Sequence, residues 1–175
     1  MEFSLEKSLE ILERTPAVLT LLLQQLDAEW TSNNEGGDTW SPYDIIGHLI
    51  HGEKTDWMPR AEIILSEKPE RNFVPFDRFA QFEASKGKSL QQLLLEFEAL
   101  RSENLQRLRS KNLTGQDFEK TGIHPAFGEV TLSQLLATWA VHDLNHISQI
   151  SRVMAKQYIE AVGPWVAYLG ILQSE

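Results

Sequence analysis

The sequence predicts an all-α protein: a four-helix bundle with long crossover loops and a short helix near its C-terminal end. Four segments repeat apolar side chains at every third or fourth position, which is the period of a helix packed along one face. The connections after the second and third segments contain Pro or Gly and are long enough to cross a bundle. The chain has 175 residues, of which 42% are hydrophobic, and we expect one domain over residues 1–175.

The first helix is predicted over residues 5–27, and the loop after it contains Gly36 and Gly37. Its apolar positions are Leu5, Leu9, Leu12, Val18, Leu19, Leu22 and Leu26. Thr15 and Pro16 interrupt this pattern. Because Pro has no N–H to continue the helical hydrogen bonds, we expect the helix to kink or to restart there.

The second helix is predicted to begin after Ser41 and to run towards Leu65. Ser41 can cap the helix, Pro42 suits its first turn, and Asp44 can complete a capping box while it faces the positive end of the helix. Pro59 is expected to bend this helix, because its ring clashes with the preceding turn.

Residues 67–88 read as a long crossover loop, because they contain two Pro and Gly87. Four aromatic side chains predict that this loop packs against the bundle rather than extending into solvent. They are Phe73, Phe76, Phe79 and Phe82. The third helix is then expected from Ser89 to about Lys111, with Arg101 among the charged residues assigned to its solvent-facing side.

The fourth helix follows a Gly-containing loop and is predicted to be the central one. Thr131 can cap it, and Gln134 occupies the capping-box position. It runs to about Lys156 and is apolar on nearly every side, as expected of a buried helix. Residues 163–172 begin with Gly-Pro and form the short last helix of the prediction.

Composition excludes several classes of function. The formal net charge is −9, which argues against partners such as nucleic acid or an anionic membrane surface. No apolar run approaches the ~18 residues of a membrane span, and the first residues lack the features of a signal peptide. A cytoplasmic location is the simplest interpretation. The chain has no cysteine, so any metal would be held by histidines and carboxylates.

The spacing of three histidines predicts a metal site. His142 and His146 are four residues apart, so on a helix their rings lie on one face, roughly 6 Å apart. That spacing allows two imidazoles to bind one ion. His48 on the second helix is the candidate third ligand, which would leave coordination positions open as in catalytic sites. The alternative is a set of core histidines that are satisfied by ordinary hydrogen bonds.

Further side chains are expected around the histidines. Gln149 and Trp139 share the histidine face of the fourth helix, and Gly52, one turn after His48, would leave room for a ligand. Four side chains are candidate general acids or bases, namely Asp44, His51, His124 and Asp143. Each also has a structural interpretation, respectively as a helix cap, a residue at the pocket rim, a loop hydrogen-bonder and an interhelical carboxylate.

Three segments give the chain a resemblance to a known family. They are residues 40–49 (WSPYDIIGHL), residues 128–132 (GEVTL) and residues 142–147 (HDLNHI). In their order and spacing, together with the third helix between them, the chain resembles the DinB/YfiT-like family of metalloenzymes, in particular its broad DinB-like branch. The resemblance covers nearly the whole chain.

The resemblance implies both a fold and a chemistry. It implies an up-down-down-up four-helix bundle, often a homodimer, with His48, His142 and His146 as ligands of a divalent metal, commonly zinc or nickel. Characterised relatives include transferases and an isomerase that use low-molecular-weight thiols, and other relatives are called metal-dependent hydrolases.

Two hypotheses about function remain open. In the first, the chain is an enzyme whose metal activates water or the thiol of an exogenous cofactor to attack a small electrophilic substrate, as a thiol S-transferase or a hydrolase would. Any such thiol comes from outside, because the chain has no cysteine. In the second, it is a non-catalytic dimeric module that binds a metal or a small ligand.

Overall fold

The computed structural model describes residues 1–173. The helices are α1 (Leu5–Leu23), α2 (Ala28–Ser32), α3 (Pro42–Thr55), α4 (Trp57–Leu65), α5 (Ala80–Ser85), α6 (Leu90–Ser110), α7 (Gly115–Phe118) and α8 (Leu132–Lys156). The strands are β1 (Thr121–His124) and β2 (Gly128–Thr131), and two 3₁₀ segments follow α8, Gly163–Tyr168 and Gly170–Leu172. Within residues 1–173, none of the helices combines the length and the apolar character needed to cross a bilayer.

The long helices form a four-helix bundle whose two ends have separate apolar cores. One core cluster contains the first part of α1, the first part of α8, α4 and the last part of α6. The other contains the last parts of α1 and α8 and the first parts of α3 and α6. Therefore α1 and α8 run in one direction while α3–α4 and α6 run in the other, which is the up-down-down-up order. The predicted four-helix bundle is confirmed.

The first helix does not restart at Pro16, because α1 continues through it from Leu5 to Leu23. A proline leaves the carbonyl four residues earlier without its helical donor, here the carbonyl of Leu12. Arg101 Nη1 donates a hydrogen bond to this oxygen at 2.8 Å. A side chain from α6 therefore satisfies the group that the proline leaves unpaired.

The second predicted helix is broken at Asp56, not at Pro59. Asp56 has φ −111° and ψ −72° between α3 and α4. Pro59 lies in the first turn of α4, where an N–H would have no helical partner in any case. The predicted capping box of α3 is present, with Ser41 and Asp44 bonded to each other's backbone N–H. Such a box fixes the start of α3 and so the position of His48 two turns later.

The crossover of residues 67–88 is partly ordered by other elements. The backbone N–H of Phe73 donates to Ile123 O at 2.9 Å, and Ile123 N–H donates to Arg71 O at 2.8 Å, so this segment pairs with β1. The expected packing of its aromatic rings holds for Phe73, which is buried, whereas Phe79 and Phe82 are 62% and 42% exposed. The segment also contains the short helix α5, which the sequence analysis assigned to loop.

The assignment of Arg101 to the solvent-facing side of the third helix is wrong, because this side chain is buried at 1% exposure. It donates to Glu53 Oε1 at 2.8 and 3.0 Å and to Asp143 at 2.6 and 3.0 Å. Asn104 Nδ2 also donates to Glu53, at 2.9 Å from Oε2. This charged network ties α3, α6 and α8 together across the interior of the bundle.

The segment between α6 and α8 is a β-hairpin rather than a simple loop. β1 and β2 pair antiparallel, with Thr121 opposite Thr131 and His124 opposite Gly128. Gly128 has a φ of +73°, a backbone conformation that glycine adopts at little cost. The hairpin leads directly into α8, whose predicted capping box of Thr131 and Gln134 is present. The predicted last helix is instead the pair of 3₁₀ segments.

Candidate metal centre

Three histidines from two helices converge in the structure. His142 Nε2 lies 3.1 Å from His48 Nε2 and 3.0 Å from His146 Nε2. The candidate ligand nitrogens all lie within 4.8 Å of one another. Two imidazole nitrogens bound tetrahedrally to one zinc-like ion at roughly 2.0–2.1 Å would stand about 3.3 Å apart. The spacing therefore fits three nitrogens that share one ion.

The local structure of each helix explains this convergence. His142 and His146 are one turn apart on α8, which is a regular helix of 25 residues, so their rings project from one face. His48 lies on α3, which packs against α8. His48 and His146 are buried, at 7% and 6% exposure, so the cluster belongs to the packed interior rather than to the surface.

Burial keeps the three imidazoles neutral. The pKa of His48 is lowered to about 3 and that of His142 to about 2, chiefly by burial and to a smaller extent by the neighbouring imidazoles. Burial also lowers the pKa of His146, although the hydrogen bond with Gln149 acts in the opposite direction. Neutral imidazole is the form that has a free lone pair for a metal, so the rings are ready to bind one at neutral pH.

One histidine of the cluster is oriented by a hydrogen bond. His146 Nδ1 lies 2.8 Å from Gln149 Oε1. An amide oxygen accepts, so the His146 proton lies on Nδ1 and the lone pair of Nε2 points into the cluster. Gln149, expected as a pocket residue, thus contacts a candidate ligand directly.

The other two rings are held by aromatic packing. Among residues 1–173, His48 Nδ1 and His142 Nδ1 are buried without a hydrogen-bond partner. The His48 ring lies 4.8 Å from Trp40 and 5.4 Å from Phe76, and the His142 ring lies 5.0 Å from Trp57. Three aromatic side chains therefore fix the direction in which these imidazoles point.

Two cavities open beside the cluster. The first, which we call the Arg152 cavity, measures about 510 Å³ and includes Glu35, Asp38, Trp40, His48, His146, Gln149 and Arg152 in its lining. The second, which we call the His124 cavity, measures about 490 Å³ and includes His48, Gly52, Asp56, Trp57, Arg60, His124 and His142. Phe76 and Arg78 line both cavities. The cluster can therefore be reached by small molecules from two sides.

Two of the four acid–base candidates have structural partners away from these cavities. The Asp44 carboxylate accepts from Ser41 N at 3.0 Å and from Ser41 Oγ at 2.6 Å in the capping box. Asp143 is fully buried and accepts both bonds from Arg101. Neither carboxylate lines either cavity, although the charge of Asp143 acts on His146 and favours a higher pKa there. Both carboxylates have the structural role that their positions also allowed.

The two histidine candidates differ in position. His124 lines the cavity named after it, beside His142. His51 contacts the Phe76 ring at 4.8 Å but lines neither cavity. The structure therefore places His124, and not His51, in the lining of a cavity, where its ring could contact a ligand.

The two remaining pocket candidates, Trp139 and Gly52, both contact the indole ring of Trp57. Trp139 is fully buried, stacks on Trp57 at 5.8 Å and donates from Nε1 to Glu53 at 3.1 Å, so it supports the cavity wall from behind. Gly52 lines the His124 cavity, but an added Cβ would meet Trp57 Nε1 at 3.2 Å. The space above Gly52 is therefore filled by an indole rather than left for a ligand.

Sequence analysis did not identify the two loop residues that line both cavities, Phe76 and Arg78. Both lie in the crossover loop, whose path depends on the backbone pairing between residues 71–73 and Ile123. The cluster of four Phe was the available signal, but it indicated packing without indicating which ring reaches the histidines.

The sequence model of the DinB superfamily matches residues 11–150. The chain belongs to the DinB superfamily. The family expected from residues 40–49 and 142–147 is therefore confirmed, and the matched range contains all three histidines of the cluster. No curated protein matches the chain significantly.

Two solved structures share the fold of this DinB superfamily chain. YfiT from Bacillus subtilis, described as a probable metal-dependent hydrolase with an unusual four-helix bundle topology, has a TM-score of 0.73 at 21% identity, over 87% of this chain and 86% of its own. TT2238, described as a four-helix bundle protein, has a TM-score of 0.53 at 20% identity, over 85% of this chain and 98% of its own. At these identities the similarity establishes the fold.

Proposed function

We propose that this protein is a divalent-metal-dependent enzyme in which His48, His142 and His146 hold one ion, with zinc or nickel as the candidate metals. The observation that carries the proposal is the convergence of three neutral imidazole nitrogens, within 4.8 Å of one another, beside two cavities. Three protein ligands are the set found in catalytic zinc sites, where a further position stays open. The description of YfiT as a metal-dependent hydrolase supports this choice.

The proposed reaction is attack on a small electrophilic substrate by water or by the thiol of an exogenous cofactor. When bound, a divalent ion lowers the pKa of either nucleophile and polarises the electrophile. The chain's own residues would position the reactants. His146 is oriented by Gln149, while Trp40, Phe76 and Trp57 wall the cluster and exclude bulk water on those sides.

His124 is the proposed hydrogen-bond donor from this chain to the ligand in this reaction. Its Nδ1 accepts from the backbone N–H groups of Ala126 and Phe127 at 3.1 and 3.3 Å, so its Nε2 carries the exchangeable proton of the neutral ring. Burial and the charge of Arg60 lower its pKa, which keeps the ring neutral at physiological pH.

The cytoplasmic location and the homodimeric state expected from the sequence stay predictions.

An activity screen tests the proposal. Metal-loaded protein is assayed with several low-molecular-weight thiols and electrophiles, beside ester and amide substrates in water alone. His146→Ala should abolish activity, and His124→Ala, which removes the Nε2–H donor, should reduce it by about 10²–10³-fold, the usual cost of losing one donor to developing charge. Lys7→Ala, on the exposed part of α1, is the control and should leave it unchanged.

The non-catalytic alternative is decided by the same screen. Its support is that Asp44 and Asp143 are both engaged structurally, which leaves few acid–base groups near the cluster. Stoichiometric metal binding with no turnover of any class, or turnover that His146→Ala does not change, would favour a binding module over an enzyme.

A further inference from the structure

Three arginines line the two cavities, and one of them differs from the others. Arg152 donates to Glu35 from Nε at 2.9 Å and from Nη2 at 2.8 Å. Arg60 Nε lies 2.5 Å from Asp56 Oδ1. Arg78, within the part of the chain that the structure describes, forms no ion pair with a carboxylate. The guanidinium of Arg78 is therefore not engaged by a carboxylate of the described residues.

The Arg78 guanidinium is held by aromatic rings instead. Its central carbon lies 5.7 Å from the Trp40 centroid and 5.7 Å from the Phe79 centroid. A cation–π contact positions a guanidinium but leaves its N–H donors free for other partners. Burial is the main cause of the low pKa of His48, and the charge of Arg78 contributes to it, which places that charge within electrostatic reach of the cluster.

The charged side chains in the lining make the His124 cavity the more favourable of the two cavities for binding an anion. In the Arg152 cavity, two carboxylates, Glu35 and Asp38, balance Arg78 and Arg152. In the His124 cavity, one carboxylate faces two guanidinium groups and is already paired with one of them. The His124 cavity therefore has a net positive lining, and Arg78 is its source.

The ring of His124 adds a hydrogen-bond donor to that lining. Because Nδ1 accepts from two backbone N–H groups, the neutral ring has its proton on Nε2 and can only donate there. The ring is fixed by stacking on Phe127, with centroids 4.4 Å apart. A fixed N–H donor that lines the same cavity as a guanidinium without an ion-pair partner is complementary to an oxyanion.

We infer that the His124 cavity binds an anionic group, a carboxylate or a phosphate-type oxyanion, of a small ligand whose reactive part lies at the three-histidine cluster, and that Arg78 and His124 hold this group. This inference rests on the proposed function, and it specifies the substrate class of the same site. It makes Arg78 the residue that selects anionic over neutral ligands. Neutral molecules of the same size can reach the cluster but gain no binding energy from the charge of Arg78.

Anion titration of metal-loaded protein tests the inference. Cobalt-loaded wild type, Arg78→Gln, His124→Gln and the control Arg14→Gln are titrated with acetate and with methylphosphonate, while the visible spectrum of the cobalt is recorded. Imidazole serves as a neutral ligand. Arg14 is exposed on α1 and bonds to its own helix, so it matches Arg78 in charge but lies outside both cavities.

The expected result is that Arg78→Gln weakens binding of both anions by about 10-fold or more, as the loss of a charged hydrogen bond implies, while imidazole binds as in wild type. His124→Gln should weaken the anions less, and Arg14→Gln should change nothing. Equal anion affinities in wild type and Arg78→Gln would overturn the inference while leaving the metal centre intact.

The design separates this inference from the proposed function. If wild type binds no cobalt, the proposed function fails, and the same anions are titrated into metal-free protein by tryptophan fluorescence, since Trp40 contacts Arg78. A loss of anion binding in Arg78→Gln would then support the anion site alone, and no difference would overturn it as well.

Discussion

His142 is the centre of the cluster at the scale of single residues, because its Nε2 lies within 3.1 Å of both other imidazole nitrogens. The pKa of this ring is lowered to about 2, chiefly by burial. A ring that resists protonation competes for a metal over a wider pH range than a free imidazole with a pKa near 6.5. We therefore expect the metal site to persist below pH 6.

The same pKa values predict how the metal-free protein responds to acid. A histidine with a folded pKa below its unfolded value near 6.5 binds fewer protons when folded, so stability is fully present above that value and is lost as pH falls towards the folded pKa. Each such histidine contributes up to about 1.4 kcal/mol per pH unit. His142→Gln should therefore flatten the fall in stability between pH 6 and pH 4.

Urea unfolding in the presence of a chelator measures this effect. His51→Gln is the control, because the His51 ring is less buried and lies outside the cluster, and it should change the slope less. An unchanged pH dependence in His142→Gln would mean that His142 is protonated in the folded protein as easily as in the unfolded chain.

Sequence and structure agree at the residue scale where helical spacing decides the outcome. His142 and His146 share a face because they are one helical turn apart on α8. His48 was only a candidate third ligand, because its approach to them depends on how α3 packs against α8. Arg101 was assigned wrongly, although it lies four residues after buried Phe97 and four before buried Leu105. A charged residue within a stripe of buried apolar residues indicated that Arg101 is buried. The carboxylates that pair with it lie on other helices, so the local sequence could not identify them.

At the scale of elements, the helices are held by contacts of two kinds. Capping boxes are local, and the sequence correctly predicted those of Ser41–Asp44 and Thr131–Gln134. The break at Asp56 and the pairing of the crossover with β1 depend on distant segments, and the sequence predicted neither. The buried network around Arg101 is the main polar contact between elements, since it joins α3, α6 and α8 and also satisfies α1 at Leu12.

Replacing Arg101 should be far more costly than replacing an exposed arginine of the same helix. Arg101→Ala leaves Glu53 and Asp143 buried without their partner, which typically costs about 3–5 kcal/mol. Arg109, which pairs with Glu13 near the surface of the bundle, is the matched control and should cost less than about 1 kcal/mol on change to Ala. Similar free energies of unfolding for the two variants would contradict the importance of the network.

Replacing Gly122 on β1 with Ala should also lower the stability of the protein. An added Cβ would meet Phe73 Cε1 at 2.5 Å and Ile64 Cγ1 at 2.9 Å, and overpacking of this kind costs about 1–3 kcal/mol. Gly115→Ala is the control, because nothing lies within 4 Å of the added atom. Thermal unfolding should show a lower Tm for Gly122→Ala alone, and an equal Tm would mean that the hairpin shifts freely on α4.

At the scale of the whole molecule, the bundle has two apolar cores with polar groups between them. On α3, His48 and Glu53 fall near the junction of the two clusters, and on α8 the same holds for Asp143 and His146. The network and the histidine cluster therefore share one level of the bundle. Helix periodicity predicted the bundle itself, whereas the cavities depend on Phe76 and Arg78 in the crossover, whose path requires tertiary contacts.

The metal content of purified protein is the most direct test of the central claim that three imidazoles hold one ion. Inductively coupled plasma mass spectrometry should find about one divalent metal per chain after loading and dialysis. His142→Ala should reduce this to near zero, while His51→Ala, which removes a histidine outside the cluster, should keep it near one. Full metal occupancy in His142→Ala, or none in the wild type, would contradict the account.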